Sequence, residues 1–158
     1  MEYKIRKAAI GDLRIIQGLN EKLCIKEYKE FDNTIISNYS LTEEGKRGFE
    51  KCITSETSVT FVTENKRKII GYITGGIKEA EDYRDIKYIC DLGSMWVDEE
   101  YRGKGIGKEF FKKFEKWCKD KKVFRLQVTA STQNEKGINF YKREGFEDYD
   151  IVLEKDLN

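Results

Sequence analysis

The chain of 158 residues is the usual size of one domain, and its 39% hydrophobic residues are enough for one globular core across residues 1–158. Its 30 basic and 29 acidic side chains nearly cancel to a net charge of +1, which argues against a nucleic-acid binder and against a membrane-surface protein. Histidine is absent, so Ser-His-Asp and Cys-His catalysis are excluded. No apolar signal region opens the sequence, so a cytoplasmic protein is expected.

The first half of the chain predicts a strand, two helices and a set of three strands. Residues 3–7 alternate as a short strand, and Asp12 stands where the cap of the next helix is expected. Thr42, followed by two glutamates, is typical of the start of a second helix. An antiparallel meander is then predicted by three segments rich in β-branched and aromatic residues, namely 58–64, 68–80 and 87–97.

The second half of the chain predicts helices that alternate with strands. Apolar residues recur at helical spacing in residues 104–121 and predict the strongest helix; they include Ile106, Phe110, Phe114 and Trp117. A strand over 124–130 would carry on one face Phe124, Leu126, Val128 and Ala130. Residues 135–144 predict a helix, and the chain from Phe146 onward a strand. The order β-α-α-β-β-β-α-β-α-β indicates an α/β (α+β) fold with a mixed sheet.

A glycine-rich segment, RGKGIG at residues 102–107, lies between a predicted strand and the strongest predicted helix. Backbone N–H groups and the helix dipole favour an anion at such a helix start. Glycine at alternate positions lets the backbone approach phosphate oxygens closely. Positive charge around them would come from Arg102, Lys104 and Lys108. The segment therefore predicts a phosphate site, although a tight strand-to-helix turn alone would also use glycine.

Two common phosphate loops do not match this segment. A dinucleotide fingerprint needs a third glycine where the chain has Phe110. A P-loop needs Ser or Thr after its lysine, but Lys108 is followed by Glu109. The pattern that does fit is Arg/Gln-x-x-Gly-x-Gly/Ala, which residues 102–107 satisfy.

Two linked motifs resemble those of the GNAT superfamily of N-acetyltransferases. Residues 97–107, VDEEYRGKGIG, are similar to its cofactor signature. Residues 134–146, NEKGINFYKREGF, are similar to its second motif, an Asn followed by a helix that ends in Phe-Tyr and Gly-Phe. The predicted element order agrees across nearly the whole chain. The resemblance implies one N-acetyltransferase domain over residues 1–158, with a mainly antiparallel sheet of six to seven strands flanked by four helices.

The resemblance implies acetyl-CoA as cosubstrate and no metal. The main chain of the strand end would pair with the pantetheine arm, through Met95, Trp96 and Val97. The pyrophosphate would be held by the loop and the helix start, namely Arg102, Gly103, Lys104, Gly105, Ile106, Gly107 and Lys108. Asn134 would hydrogen-bond the pantetheine, or it is simply a helix cap.

Acid–base roles complete the implied site. Tyr141 occupies the position of the general acid of the family, next to the bound cofactor, and would protonate the leaving thiolate. An acceptor amine with a pKa of about 10.4 is neutral in only about one molecule in 2,500 at pH 7, a difference of roughly 4.6 kcal/mol, so a base is also needed. A carboxylate, acting directly or through water, would serve, and Asp91 is the first candidate. Its competitors are Glu79, Glu27 and Asp32.

The predicted function is acetyl transfer from acetyl-CoA to a primary amine of a small molecule or protein, by direct attack. A non-catalytic coenzyme A sensor or regulatory module is the alternative. Nucleic-acid binding through the lysines of residues 112–122 is disfavoured, because a lysine-rich helix face opposite an apolar stripe is usually solvated surface. No membrane partner is expected, and the protein would be a monomer or homodimer.

Overall fold

A computed structural model of the protein describes residues 2–157. Nine helices and strands follow one another in these residues, apart from short 3-10 turns: β1 (Lys4–Lys7), α1 (Leu13–Glu30), α2 (Glu43–Thr54), β2 (Ser58–Asn65), β3 (Lys68–Glu79), β4 (Tyr88–Val97), α3 (Ile106–Asp120), β5 (Leu126–Val128) and α4 (Glu135–Arg143). No helix in this part of the chain is long and apolar enough to cross a membrane.

The strands form one mixed sheet in the order β1-β2-β3-β4-β5. The first four are antiparallel to their neighbours, and β5 is parallel to β4. A parallel neighbour requires a crossover, and α3 provides it. The predicted α/β fold, its mainly antiparallel sheet, its four helices and the element order through α4 are therefore confirmed.

The strand count differs from the six to seven expected, because the described residues contain five strands. Residues 147–157 form neither helix nor strand, although Ile151, Val152 and Leu153 are strand-forming residues; their side chains are 71–84% exposed. β5 is limited to Leu126–Val128, and Phe124 is 83% exposed instead of lying on a buried strand face. Composition favours a strand, but only a hydrogen-bonded neighbour makes one.

Two apolar clusters lie on the two faces of the sheet. On one face, Ile73 and Leu92 of the central strands belong to the cluster that contains Phe110 and Phe114 of α3. On the other face, Tyr72 and Trp96 pack in a cluster with residues of α1. Neighbouring residues of one strand thus point to opposite faces, as the pleat requires. The apolar stripe predicted for α3 is buried as expected.

The helix starts differ from one another. The Thr42 side chain accepts a hydrogen bond from Gly45 N, so the predicted cap of α2 is confirmed. Asp12 makes no such bond to α1. Its carboxylate instead accepts from Ala9 N at 2.8 Å and pairs with Arg6 at 2.6 Å. The Arg6 guanidinium beside it lowers the pKa of Asp12. Asp12 therefore stands at the predicted N-cap position of α1, but its carboxylate is held by this ion pair and does not bond to the helix.

The sheet opens between β4 and β5. The two strands pair only from Cys90 to Leu92 on the β4 side. The register between β3 and β4 then shifts around Gly93, since Thr74 faces Ser94 while Gly75 faces Leu92. A bulge of this kind bends a strand and breaks its pairing. Beyond it, β4 continues to Val97 with no strand of the described residues on its β5 side.

Gly75 lies at this register shift and is needed for close packing. A Cβ at Gly75 would overlap the carbonyl oxygen of Asp91 and lie 2.5 Å from the Phe114 ring. Gly75→Ala is therefore expected to lower the free energy of unfolding by about 3 kcal/mol, the upper part of the usual overpacking range. Urea unfolding measures this loss. Gly18→Ala is the matched control, because a Cβ at Gly18 in α1 meets nothing within 4 Å, and it should be neutral or stabilising.

Candidate active site

A cleft of about 1160 Å³ opens between the C-terminal half of α1, the end of β4, the start of α3 and α4. Small-molecule sites are usually about 300–1,000 Å³, so this cleft has room for a long ligand. It brings together most of the sequence-predicted site residues: Met95, Trp96, Val97, Arg102, Gly103, Gly105, Ile106, Gly107, Lys108, Asn134 and Tyr141. Lys104 and Asp91, which were predicted with them, are not among its lining residues.

The end of β4 presents unpaired main-chain groups to the cleft. Asp98 N donates to Ile70 O at 2.8 Å, on the β3 side. Main-chain groups of a strand alternate in direction, so those of Met95 and Val97 face away from β3, where β5 has ended. The main chain of Trp96 faces β3 by the same alternation, and its indole is buried against residues of α1. Met95 and Val97 therefore form the open edge.

The α3 N-terminus points main-chain amides at the same cleft. Gly105 is its N-cap residue and has a φ of +84°, a left-handed conformation that favours glycine. The first helical hydrogen bond runs from Glu109 N to Gly105 O at 3.1 Å. The amides of residues 106–108 consequently have no acceptor within the helix, and they carry the positive end of its dipole. A Cβ at Gly105 would meet no protein atom within 4 Å, so this position faces open space.

The cationic side chains of the loop are held in different ways. Arg102 donates from Nε to Val97 O at 2.8 Å and stacks over the Trp96 ring at 4.4 Å, so it closes the end of the open edge. Lys104 donates from Nζ to Glu100 O at 2.9 Å. Lys108 is exposed and lines the cleft. Of the three predicted cations, Arg102 and Lys108 therefore line the cleft and Lys104 does not.

Asn134 caps α4 and also lines the cleft. Its Oδ1 accepts from Gly137 N at 3.0 Å, which satisfies one N–H of the first helical turn. Asn134 can therefore cap the helix and bind a ligand at the same time, because its side-chain NH₂ group remains free to donate when Oδ1 accepts the capping bond. The neighbouring Gln133 donates from Nε2 to Phe31 O at 3.3 Å and so connects the loop before α4 to the end of α1.

Tyr141 lies on α4 with its ring against two phenylalanines. The ring centroids of Phe140 and Phe146 are 5.3 and 5.5 Å away. Burial, and secondarily the negative charge of Glu27, raises the pKa of Tyr141 to about 12. The phenol is thus protonated at neutral pH and can donate a proton. No hydrogen bond ties its hydroxyl to another group within residues 2–157, which leaves it available to a ligand.

Glu27 is the candidate base that the structure brings into the same cleft as Tyr141. It lies on α1, lines the cleft with Tyr141 and is half-buried. Burial raises the pKa of Glu27, and the neighbouring Lys26 opposes that change. The sequence indicated Glu27 only as one of several competing carboxylates, because the distance between α1 and α4 depends on tertiary packing. The sequence did contain one indication: Leu23, Glu27 and Glu30 are spaced by four and three residues, which places them on one face of α1.

The other predicted bases lie elsewhere. Asp91 is paired with Lys78 at 3.5 Å. Asp32 accepts from both the main chain and the hydroxyl of Thr34, and these bonds lower its pKa. Glu79 ends β3. None of these three carboxylates lines the cleft, so Glu27 alone among the four candidate bases shares it with Tyr141.

Comparison with known proteins identifies the family. The model of the GNAT acetyltransferase domain matches residues 56–148, more than half of the chain. The N-acetyltransferase MJ1207 of Methanocaldococcus jannaschii, itself uncharacterized, is 24% identical over 150 residues; these cover 95% of this chain and 63% of that protein. The chain thus spans less than two thirds of this relative.

Solved structures have the same fold. A predicted acetyltransferase of Clostridium acetobutylicum, solved with acetyl-CoA, superposes with a TM-score of 0.79 at 20% identity, over 98% of this chain and 96% of that one. AAC(6′)-Iy bound to the bisubstrate analogue CoA-S-monomethyl-acetylneamine superposes with a TM-score of 0.75 at 15% identity, over 100% and 99% of the two chains. The family match, which covers β2 to β5, the glycine loop and α4, shows that the chain belongs to the GNAT acetyltransferase family.

Proposed function

We propose that this protein transfers an acetyl group from acetyl-CoA to a primary amine by direct attack, with Tyr141 as general acid. The observation that carries the proposal is the single cleft that joins the open edge of β4, the amides of α3 and the Tyr141 phenol. Membership of the GNAT family agrees with it. If the protein were only a coenzyme A sensor, the protonated Tyr141 phenol in the cleft would have no catalytic role.

The residues present fit acetyl-CoA. A diphosphate suits the α3 N-terminus, where the amides of residues 106–108 lack helical acceptors and Gly105 leaves space. The pantetheine arm carries amide groups that suit the unpaired main chain of Met95 and Val97. Arg102 already occupies the Val97 carbonyl, so Met95 offers the accessible acceptor. When bound, acetyl-CoA supplies the acetyl group and a thiolate leaving group.

Tyr141 would act on that leaving group. Its raised pKa keeps the phenol protonated throughout the physiological range, so the proton is present when the sulfur becomes negative. A positioned acid of this kind contributes about 10²–10⁴-fold to a rate. The apolar contacts with Phe140 and Phe146 hold the ring without consuming its hydroxyl.

The acceptor would be a cationic amine of a small molecule or protein. The neighbour AAC(6′)-Iy is an aminoglycoside N-acetyltransferase, and an aminoglycoside is one such polycation. Carboxylates line the same cleft on α1 and α4, including Glu27, Glu30 and Glu144. The lysine-rich face of α3 offers less for an anionic partner, because Lys116 and Lys119 pair with Asp120 and Glu115.

An acceptor screen tests the proposed function. The purified protein is mixed with acetyl-CoA and a panel of amines, namely an aminoglycoside, a polyamine, free amino acids and a lysine peptide, and released thiol is followed. We expect amine-dependent thiol release with at least one cationic acceptor and acetylated product by mass spectrometry. Tight binding of acetyl-CoA with no thiol release on any amine would instead favour the sensor.

A further inference from the structure

We infer that Glu27 is the general base of this site and that its carboxylate receives the acceptor as an ammonium ion. The inference rests on the proposed function and assigns the base that the reaction needs. Two observations carry it: Glu27 lines the same cleft as the Tyr141 acid, and its carboxylate forms no ion pair with any residue from 2 to 157.

The position follows from helical geometry. Leu23, Glu27 and Glu30 recur at spacings of four and three along α1, and all three line the cleft. Gln133 donates to Phe31 O and holds this end of α1 beside the loop before α4. Glu27 therefore lines the cleft from α1, while Tyr141 lines it from α4.

The lack of a partner makes Glu27 different from its neighbour on the same helix. Glu30 forms an ion pair with Lys26, and the Lys26 ammonium also lies 5.2 Å from the centroid of the Phe31 ring. Within residues 2–157, Glu27 makes no ion pair and no side-chain hydrogen bond. A half-buried carboxylate without a partner is costly to keep ionised, and an incoming ammonium group would relieve that cost.

The groups that face Glu27 come from several elements. Lys26 and Cys24 lie on its own helix, Tyr72 is on β3 and Tyr141 on α4. The Glu27 charge contributes to a raised pKa of Cys24, Tyr72 and Tyr141, which places the carboxylate within electrostatic reach of all three. The cleft also receives Arg143 and Glu144 from α4. Among residues 2–157, Lys26 is the cation that opposes the raised pKa of Glu27.

The proton balance is complete with these two residues. Glu27 accepts one proton from the ammonium group, and the freed nitrogen lone pair forms the new bond to the acetyl carbon. The carbon–sulfur bond breaks as Tyr141 gives its proton to the sulfur. The second proton lost by the nitrogen restores the Tyr141 phenol, and Glu27 returns its own to solvent. One proton is therefore released for each amide formed.

Glu27→Gln tests the inference through its pH dependence. With the amine found by the screen, we expect kcat/KM to fall on the order of 100-fold at pH 7, and the deficit to shrink as the pH approaches the pKa of the amine, about 10.4 for a lysine-like group. The reason is that a large fraction of the amine is already neutral at such a pH and needs no base. Glu21→Gln, on the same helix but outside the cleft, is the matched control and should keep the parent profile. Asp91→Asn tests the base predicted from the sequence.

A second measurement does not depend on turnover. Because the folded state raises the pKa of Glu27, it holds the proton to higher pH than the unfolded chain, and stability falls as pH rises through that window. Glutamine lacks this titration. The Tm of Glu27→Gln should therefore exceed that of the parent at pH 8, and the gain should shrink as the pH is lowered toward about 4.3, the ordinary Glu pKa.

The outcomes separate the inference from the function. Any of three results overturns the role of Glu27 and leaves acetyl transfer intact. They are a kcat/KM deficit of Glu27→Gln that is constant from pH 6 to 10, a larger loss of kcat/KM in Asp91→Asn than in Glu27→Gln, and no gain in Tm. Absence of thiol release by the parent protein on every amine, with acetyl-CoA bound, overturns the proposed function and Glu27 with it. The pH-dependent deficit together with the gain in Tm supports the inference.

Discussion

Replacing Tyr141 with Phe is expected to lower kcat by roughly 10- to 10,000-fold, allowing for a water that takes over part of the acid role. The thiolate then leaves without its proton donor, while the ring keeps its packing against Phe140 and Phe146. The affinity for acetyl-CoA should change little, because the proposed phosphate and pantetheine contacts lie on α3 and β4. Steady-state kinetics with the best acceptor and calorimetric titration of coenzyme A measure the two effects separately.

Tyr3→Phe is the matched control, since it also removes one phenolic hydroxyl. Tyr3 donates to Glu109 at 2.7 Å outside the cleft, and its loss should leave kcat near the parent value. The pH profile adds a further check. With a pKa of Tyr141 raised to about 12, the acid should remain protonated up to that range, so no alkaline loss of kcat is expected between pH 7 and 10. An unchanged kcat in Tyr141→Phe with several amines would remove the acid role.

The sequence predicted the elements whose signals are local. The apolar stripe of residues 104–121 led to α3, and Thr42 led to the start of α2, because helical spacing and capping involve residues within a few positions of each other. The glycine loop was located for the same reason. Residues 102–107 carry their own turn chemistry, and Gly103 and Gly105 do adopt positive φ.

The features that were missed depend on partners distant in sequence. Asp12 is the N-cap residue of α1 as predicted, but its carboxylate pairs with Arg6 and leaves the helix uncapped by a side chain. Residues after Phe146 have strand-forming side chains without a paired neighbour in the described chain. The sequence could not show which of its candidate carboxylates lines the cleft, for a similar reason. The resemblance to the GNAT family made Asp91 the first candidate base, whereas the opening of the sheet and the packing of α1 decide which carboxylate lines the cleft.

Replacing Gly105 with Val should weaken acetyl-CoA binding by about 1,000-fold, which corresponds to about two charge-assisted hydrogen bonds of roughly 2 kcal/mol each. Valine cannot readily adopt the φ of +84° at the α3 N-cap. Its side chain would also enter the open space that Gly105 faces. The amides of residues 106–108 would then be turned from, or screened against, the diphosphate.

Gly145→Val separates this effect from backbone strain. Gly145 also has a positive φ, +94°, and a Cβ there meets nothing within 4 Å, but it does not line the cleft. Both variants should lose stability to a similar extent, since the left-handed conformation costs an L-residue roughly 1–2 kcal/mol. Only Gly105→Val should lose affinity in calorimetric titration. Equal affinity in the two variants would mean that the diphosphate does not bind at the α3 N-terminus, because, of the two glycines, only Gly105 lies there.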